Sequence, residues 1–574
     1  MRRQAILALL LALAICPYFV DLGGSSIWDA NEAFYVETPR EMIERGDYVS
    51  PTFNYEPRVN KPVLSYWIVA GFYHLFGVSV GVQRVPIAIA AVLLIGAAFL
   101  LAVAAYSPET EARGHSEQQG PVPEDRSVPW YRVRGAMEAG LWAALGLAIG
   151  PRLLMFARRI FIDMYITLFM ALTLLFFALA ERYPGRRRLF LVLMYAAIGL
   201  GVLTKGPVAI VLPGLVFGGY LLLHREIGRV RSMMLPAGIA IVLAIVLPWY
   251  AALYARHGWT YIVSFVVGEN IGRYTEGIGN TGGRGPLFYL PVVFSDSFPW
   301  SLLLVPAGWQ LLRRRTWAPA DRASRVRTLL WLWILVIVAF FSLSRTKQDL
   351  YIFPIVAAVA ALGGAFVPSA ATGRDRAWLA GTAAVIGLLL AVLGGLGFFW
   401  LRELAVTYGI AGLGAACAVA LGGGIATILC GFRGRTFAAL AAVAATTIVL
   451  NWILVLRVLP SVEPYKPSPI FARTIEARLR PGDAVIHYKV AMPSMVYYLR
   501  RHIEVYYDTA EFREAVRKPR GMFIVVSEDD YEDVRDAGIA TCVVERRPTF
   551  EAKLRDLLAR EPLPEVLLLS TACS

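Results

Sequence analysis

The sequence predicts a polytopic α-helical membrane protein with a small α/β unit at its C-terminal end. Three observations carry that expectation. Hydrophobic residues make up 57% of the 574 and charged residues only 17%, against roughly 25% in an ordinary soluble domain. Thirteen apolar runs follow one another, each close to the ~20 residues needed to cross ~30 Å of hydrocarbon. From Pro460 onward the composition changes to short, alternating strand-like and helix-like segments.

The first run, 4–21, begins behind Arg2 and Arg3 like a signal peptide. AICPYFVDLGG offers no small-x-small cleavage site, so it is read as an uncleaved span. Further runs lie near 84–106, 136–155, 164–181, 188–203, 207–223 and 233–254. The remainder lie near 288–311, 328–343, 350–368, 377–400, 410–430 and 436–456. The segment KPVLSYWIVAGFYHLFG, 61–77, is short and aromatic-rich, and Trp and Tyr favour the membrane–water boundary. It is expected to lie in that interface as an amphipathic helix. With Arg2 and Arg3 inside, every second connection is Arg-rich, at 182–188, 225–231, 313–327, 374–376 and 433–435. That is the positive-inside pattern, with the Arg-rich loops in the cytoplasm, and counting 61–77 as a span would invert it. It also accounts for the net charge of +14 without a nucleic-acid partner, for which no motif is present. Thirteen spans leave the C-terminal end outside.

The chain thus divides into a membrane-embedded domain, 1–456, and an extracytoplasmic α/β domain, 460–574. In the latter, GDAVIHYK, HIEVYYD, GMFIVVSE and ATCVVERR read as strands. VYYLRR, TAEFREAVRK, DDYEDVRDAG and FEAKLRDLLARE read as helices, which implies a small, mostly parallel sheet with covering helices. No Gly-rich phosphate loop joins strand to helix, so this unit is expected to dock or shape an acceptor rather than to catalyse. Cys542 and Cys573 both fall in it, where a disulfide is chemically allowed. Cys16, Cys417 and Cys430 sit in apolar runs as packing residues, and no CxxC or Cys/His metal spacing occurs. The cytoplasmic loop 107–129 is polar and Pro/Gly-rich, and is expected to be disordered.

The outward connections are of another kind. WDANEAFY with NKPVLSYW, ARRIFIDMY, LTKGPVAI, GENIGRYTEGIGNTGGRGP and SRTKQDLY mix acids with isolated Lys and Arg. Snorkelling at span ends explains any one of them; five on one face point to a shared site. Local readings stay open for single residues. Asp163 can pair with Arg158 or Arg159, Glu269 and Arg273 are spaced as a helix-surface pair, and Glu37 and Arg40 read as solvated.

The order of these motifs resembles the bacterial branch of the C-type-fold (GT-C) membrane glycosyltransferases. A first span leads into an acidic W-x-x-x-E-x-x-Y segment, then PREMIERGDYVSPTFN, NKPVLSYW, AR…D, TKGP and K-x-x-x-Y-I-x-P. The likeness is closest to the lipid A aminoarabinose transferases, with the protein O-mannosyltransferases as more distant kin. It implies interfacial helices in the first outside loop. It also implies inverting transfer of a sugar, outside the membrane, from a polyprenyl-phosphate donor to a lipid A-like glycolipid, another glycan or a protein.

On that resemblance the donor phosphate falls to Lys61, the lysine of the KP…YW motif, with Lys205, Arg345 and Lys347 as further outside cations. Positioned cations neutralise a phosphate as it leaves. Glu32, Asp29 and Asp163 are the candidate catalytic acids, able to deprotonate an acceptor hydroxyl or to orient an acceptor phosphate. Asn31, Tyr35, Asn60, Tyr66, Trp67, Arg273 and Tyr351 are the candidate substrate contacts. The chain also departs from the pattern. The family's leading aspartate is Asn31, the following arginine is Phe34, and the carboxylate before the lysine is Asn60. Asp29, two residues before Asn31, is a candidate to supply the missing charge. GNTGGRGP lacks the family histidine, so the carboxylate–histidine metal site should be absent. No cofactor is called for, and a divalent cation stays open. These differences point to a relative with another sugar or acceptor.

The rival expectation is a transporter or flippase of a lipid-linked sugar. That would place ionisable groups near the bilayer centre, at ~3 kcal/mol each, often with repeated halves. Here the charges gather at span ends. A receptor or scaffold would leave the five charged connections unexplained.

Overall fold

A computed structural model describes residues 2–29, 32–58, 60–106, 134–159, 162–275, 284–314, 321–371, 375–550 and 562–573. Among them are nine helices long and apolar enough to cross a membrane, and two further pairs are broken by bends. The breaks lie between Gly135–Ala148 and Pro151–Ala157 (67°) and between Pro286–Asp296 and Trp300–Arg313 (109°). Pro151 and Pro299 stand at these breaks, where each lacks the N–H that would continue the helical ladder. With the shorter apolar helices Arg2–Ile15 and Val208–Leu223, helices occupy all thirteen apolar runs. The helix Leu64–Phe76 has 13 residues, about 20 Å of rise, which is too short to span. The loop 107–129 lies outside the described residues.

Three Arg-rich connections are tied into one network. Glu181 accepts from Arg187 (2.9 Å) and Arg229 (2.6 Å), and Glu226 pairs with Arg229 (2.5 Å) and Arg325 (2.9 Å). Helix Ile162–Arg182 carries Glu181 at this end and Asp163 at the other, about 27 Å away by helical rise.

The connection after the first apolar run carries its own secondary structure. Helix Ala33–Arg45 stops at Gly46, whose φ of 64° closes the last turn through N–H bonds to Ile43 and Met42. A two-stranded hairpin follows, β1 (Thr52–Phe53) and β2 (Glu56–Pro57). Its turn residues, Asn54 (φ 57°) and Tyr55 (φ 62°), are both left-handed, as a type I′ turn demands, although neither is glycine. Glu37 and Arg40, expected in solvent, are buried, because the helix is covered by Leu64–Phe76 and by Ser494–Leu499. Burial is tolerated through pairing. Arg40 donates twice to Glu37 (2.8 and 2.5 Å), and Glu41 accepts from the Thr52 hydroxyl (2.6 Å). Burial nevertheless pushes the Glu41 carboxyl up to about 7.

The last long helix, Thr436–Tyr465, runs unbroken past residue 460 into the α/β unit. There the strands are β3 (Ala484–Tyr488), β4 (Glu504–Tyr506), β5 (Met522–Ser527), β6 (Cys542–Pro548) and β7 (Glu565–Ser570). Their order is β4-β3-β5-β7-β6. β3 runs parallel to β4 and β5, but β7 runs antiparallel to β5 and β6, so the sheet is mixed rather than mostly parallel. The difference is β7, EVLLLS, which inserts beside β5. Helices Ser468–Glu476 and Ser494–Leu499 cover one face through Phe471 and Met495, and Thr509–Val516 covers the other through Phe512. Cys542 and Cys573 are unbonded; both thiols point at the Ser570 carbonyl, at 3.3 and 3.7 Å. Residues 551–561 of the last expected helix lie outside the described residues.

Candidate active site

Five of the sequence-selected residues line one cavity of about 370 Å³: Tyr35, Lys61, Asp163, Lys205 and Tyr351. Its polar part holds two lysine–carboxylate pairs. Lys61 Nζ is 3.3 Å from Glu269, and Lys205 pairs directly with Asp163. Local folding explains the second pair. Asp163 sits in the first turn of Ile162–Arg182 and Lys205 in the last turn of Arg187–Lys205, so each charge complements its own helix dipole. The two helices are antiparallel neighbours, and their ends meet. Lys205 also lies 5.5 Å over the Tyr351 ring. Most of the remaining wall is apolar, with Ile162, Ile166, Val211, Leu212, Phe340 and Phe341. A charged mouth on an apolar trough suits an amphiphile with an anionic head.

Glu269 and Asn270 were not singled out as site residues. They lie on the π-helical run Ser264–Gly272, a backbone form that gathers at functional sites. Glu269 meets Lys61 across 208 positions, and no local spacing shows that. The Arg273 side chain and Asn31 lie outside the described residues. Gln348, Tyr274 and Ser344 complete the polar lining.

The other candidates stand elsewhere. Glu32 is 1% exposed and takes a two-pronged bond from Arg84, at 2.7 and 3.0 Å, plus the Trp28 N–H at 2.9 Å. Arg84 also donates to the carbonyls of Leu22, Ser25 and Ser26, so this pair knits the loop's start. Asp29 accepts from the Ser468 hydroxyl (2.9 Å) and the Ser494 N–H (2.8 Å); burial raises its carboxyl despite these donors. Neither acid is among the cavity's walls. Arg345 is exposed, with its N–H on the Tyr274 carbonyl, and Lys347 is buried and donates to the Ser344 carbonyl at 2.5 Å. Tyr66 stacks behind Tyr35 at 5.7 Å, Trp67 donates to the Tyr48 carbonyl, and Asn60 is exposed beside Lys61. Asp163 does not pair with its neighbours: Arg158 binds the carbonyls of Pro17, Val20 and Asp21, and Arg159 lies on the Trp28 ring. Among the described residues, no three His, Cys, Asp or Glu side chains converge as metal ligands would.

Known proteins share this sequence and shape. Residues 130–251 match the family described as dolichyl-phosphate-mannose-protein mannosyltransferase. The undecaprenyl phosphate-alpha-4-amino-4-deoxy-L-arabinose arabinosyl transferase of Pseudomonas aeruginosa (strain LESB58) is 31% identical over 410 residues, covering 70% of this chain and 67% of that one. Its namesake in Pectobacterium carotovorum subsp. carotovorum (strain PC1) is 29% identical over 406 residues, covering 67% and 64%. The crystal structure of ArnT from Cupriavidus metallidurans bound to undecaprenyl phosphate superposes with a TM-score of 0.77 at 23% identity, covering 99% of this chain and 98% of that one. The apo form gives 0.75 at 22% identity. These likenesses show the fold expected above, a GT-C membrane domain with a C-terminal α/β unit.

Proposed function

Because the chain belongs to the undecaprenyl phosphate–aminoarabinose arabinosyl transferase family of multi-pass membrane glycosyltransferases, we propose that it moves a sugar from an undecaprenyl-phosphate donor to a lipid A-type acceptor. The observation that carries this reading is the cavity, two lysine–carboxylate pairs at the head of an apolar trough. The polyprenyl chain would lie along Ile166, Val211 and Phe340, and the phosphate would take Lys61 and Lys205 from their carboxylates. As the bond from the sugar's C1 to the phosphate oxygen breaks, that phosphate goes from one negative charge to two. Preorganised ammonium groups stabilise charge that develops in this way. The acceptor oxygen forms the new bond at C1 from the opposite side, which inverts that centre. An acceptor phosphate needs no base; an acceptor hydroxyl would pass its proton to Asp163 or Glu269, freed from their lysines.

The proposed setting is the bacterial cytoplasmic membrane, with the cavity and the C-terminal unit on its outer face. The Arg network at the far end of helix Ile162–Arg182 supports that orientation.

The test is sugar transfer in membranes carrying variants, with undecaprenyl-phosphate aminoarabinose as donor and lipid A as acceptor. Lys61→Ala and Lys205→Ala are each expected to lower transfer about 10²- to 10³-fold, the usual loss for one transition-state contact. Full activity in both would overturn this reading of the cavity.

A further inference from the structure

Three of the cavity residues, Tyr35, Lys61 and Asp163, come from segments that the C-terminal unit holds, directly or through Trp28. Glu463 accepts from the N–H (2.9 Å) and hydroxyl (2.7 Å) of Ser26, and Ile27 N–H donates to the Tyr498 hydroxyl (2.9 Å). Asp29 is fixed by Ser468 and Ser494, as described above. The Trp28 ring lies 3.8 Å from Lys466 Nζ and 3.8 Å from the Arg159 guanidinium, four residues before Asp163. At the loop's other end, the Asn54 side chain donates to the Ile503 carbonyl and accepts its N–H, both at 2.8 Å. Tyr55 O–H donates to the Arg500 carbonyl at 2.9 Å. These bonds fall on the two left-handed, non-glycine turn residues. Such a conformation persists only where its surroundings over-determine it.

We propose that the C-terminal α/β unit is a working part of the active site: it sets the first outside loop through Asp29 and Asn54, and so places Tyr35 and Lys61 in the cavity. Asp29 and Asn54 are therefore positioning residues, which touch no substrate and act through the segments that follow them. The unit grips the loop at two points, 25 positions apart, and the segments between and beyond carry the cavity groups. This rests on the transferase reading above, and its test separates the two.

The variants are Asn54→Gly, Asp29→Ala and Asp29→Asn in the full-length protein. Glycine keeps the left-handed turn but removes both bonds to Ile503. Asparagine keeps an oxygen for the Ser494 N–H but cannot take a proton as a base. Two readouts are taken: kcat and donor KM for sugar transfer, and hydrogen exchange of residues 25–36 and 52–61 without substrate. Asn54→Gly and Asp29→Ala are expected to speed exchange in both segments and to lower kcat at least about tenfold, since misplacement of about 1 Å can cost 10²-fold. Donor KM should change less than about threefold, and Asp29→Asn should recover most of kcat. Unchanged exchange, or faster exchange with unchanged kcat, would overturn the proposal. An Asp29→Asn enzyme as inactive as Asp29→Ala would also overturn it, making that carboxylate chemical rather than positioning. If the wild type moves no sugar, the transferase reading fails, while the exchange arm still reports whether the loop is held.

Discussion

At the scale of single residues, the site depends on charges that the chain does not leave alone. Asp163 has only 8% of its side chain exposed, so removing Lys205 would leave a carboxylate with little water and no partner. Breaking one side of such a pair costs more than removing both. Lys205→Met is therefore expected to destabilise the protein by about 1–3 kcal/mol, discounted because Lys205 keeps partial contact with solvent. The double variant Asp163→Asn/Lys205→Met should recover most of that stability and none of the transfer. Thermal unfolding of the single and double variants checks this; equal losses would mean that the pair is not coupled. The motif order and the family resemblance were enough to select Lys61, Asp163, Lys205, Tyr35 and Tyr351, which share one cavity; Asp163, Lys205 and Tyr351 also stand at or beside the ends of apolar helices. Glu32 shows where such reading stops. Its carboxylate is taken by Arg84, a partner 52 positions away inside an apolar run, and nothing local announces that contact.

Among the elements, the α/β unit is the one whose stability answers to pH most simply. His487 stands in β3, 2% exposed, with Nε2 only 3.3 Å from the Met495 sulfur. Burial pulls its imidazole from 6.5 down to about 4. The unfolded chain therefore binds the proton first, so the contribution is complete above pH 6.5 and is lost as pH falls toward 4. About 3 kcal/mol is at stake over that window. Hydrogen exchange of β3, corrected for intrinsic rate, should show protection falling between pH 6.5 and 4.5, and His487→Leu should flatten that slope. A wild-type profile as flat as the variant's would contradict it. Strands β3 to β6 were legible from their β-branched runs, but β7 was not. EVLLLS lies between β5 and β6, is buried on both faces, and shows no period-two alternation to distinguish it from a turn of buried helix. Helix Ala33–Arg45 misled in the opposite sense: its charges look like a solvent face, yet helices from both sides cover it.

For the whole molecule, the thirteen apolar runs were enough to place the helices of the membrane domain. Hydropathy and charge bias are properties of segments, and the bilayer constrains segments directly. What that pattern could not show is how the C-terminal unit sits on the first loop, since those bonds join residues more than 400 positions apart. On the proposed function, the molecule is one catalytic body that would receive a lipid phosphate at Lys61 and Lys205, with the first loop set by the C-terminal unit. A structure of the full-length protein with undecaprenyl phosphate bound would test that directly. The phosphate is expected within about 3 Å of both lysine Nζ atoms, with Glu269 and Asp163 displaced from them and the polyprenyl chain along Phe340. A phosphate bound elsewhere, with both lysine–carboxylate pairs intact, would contradict it.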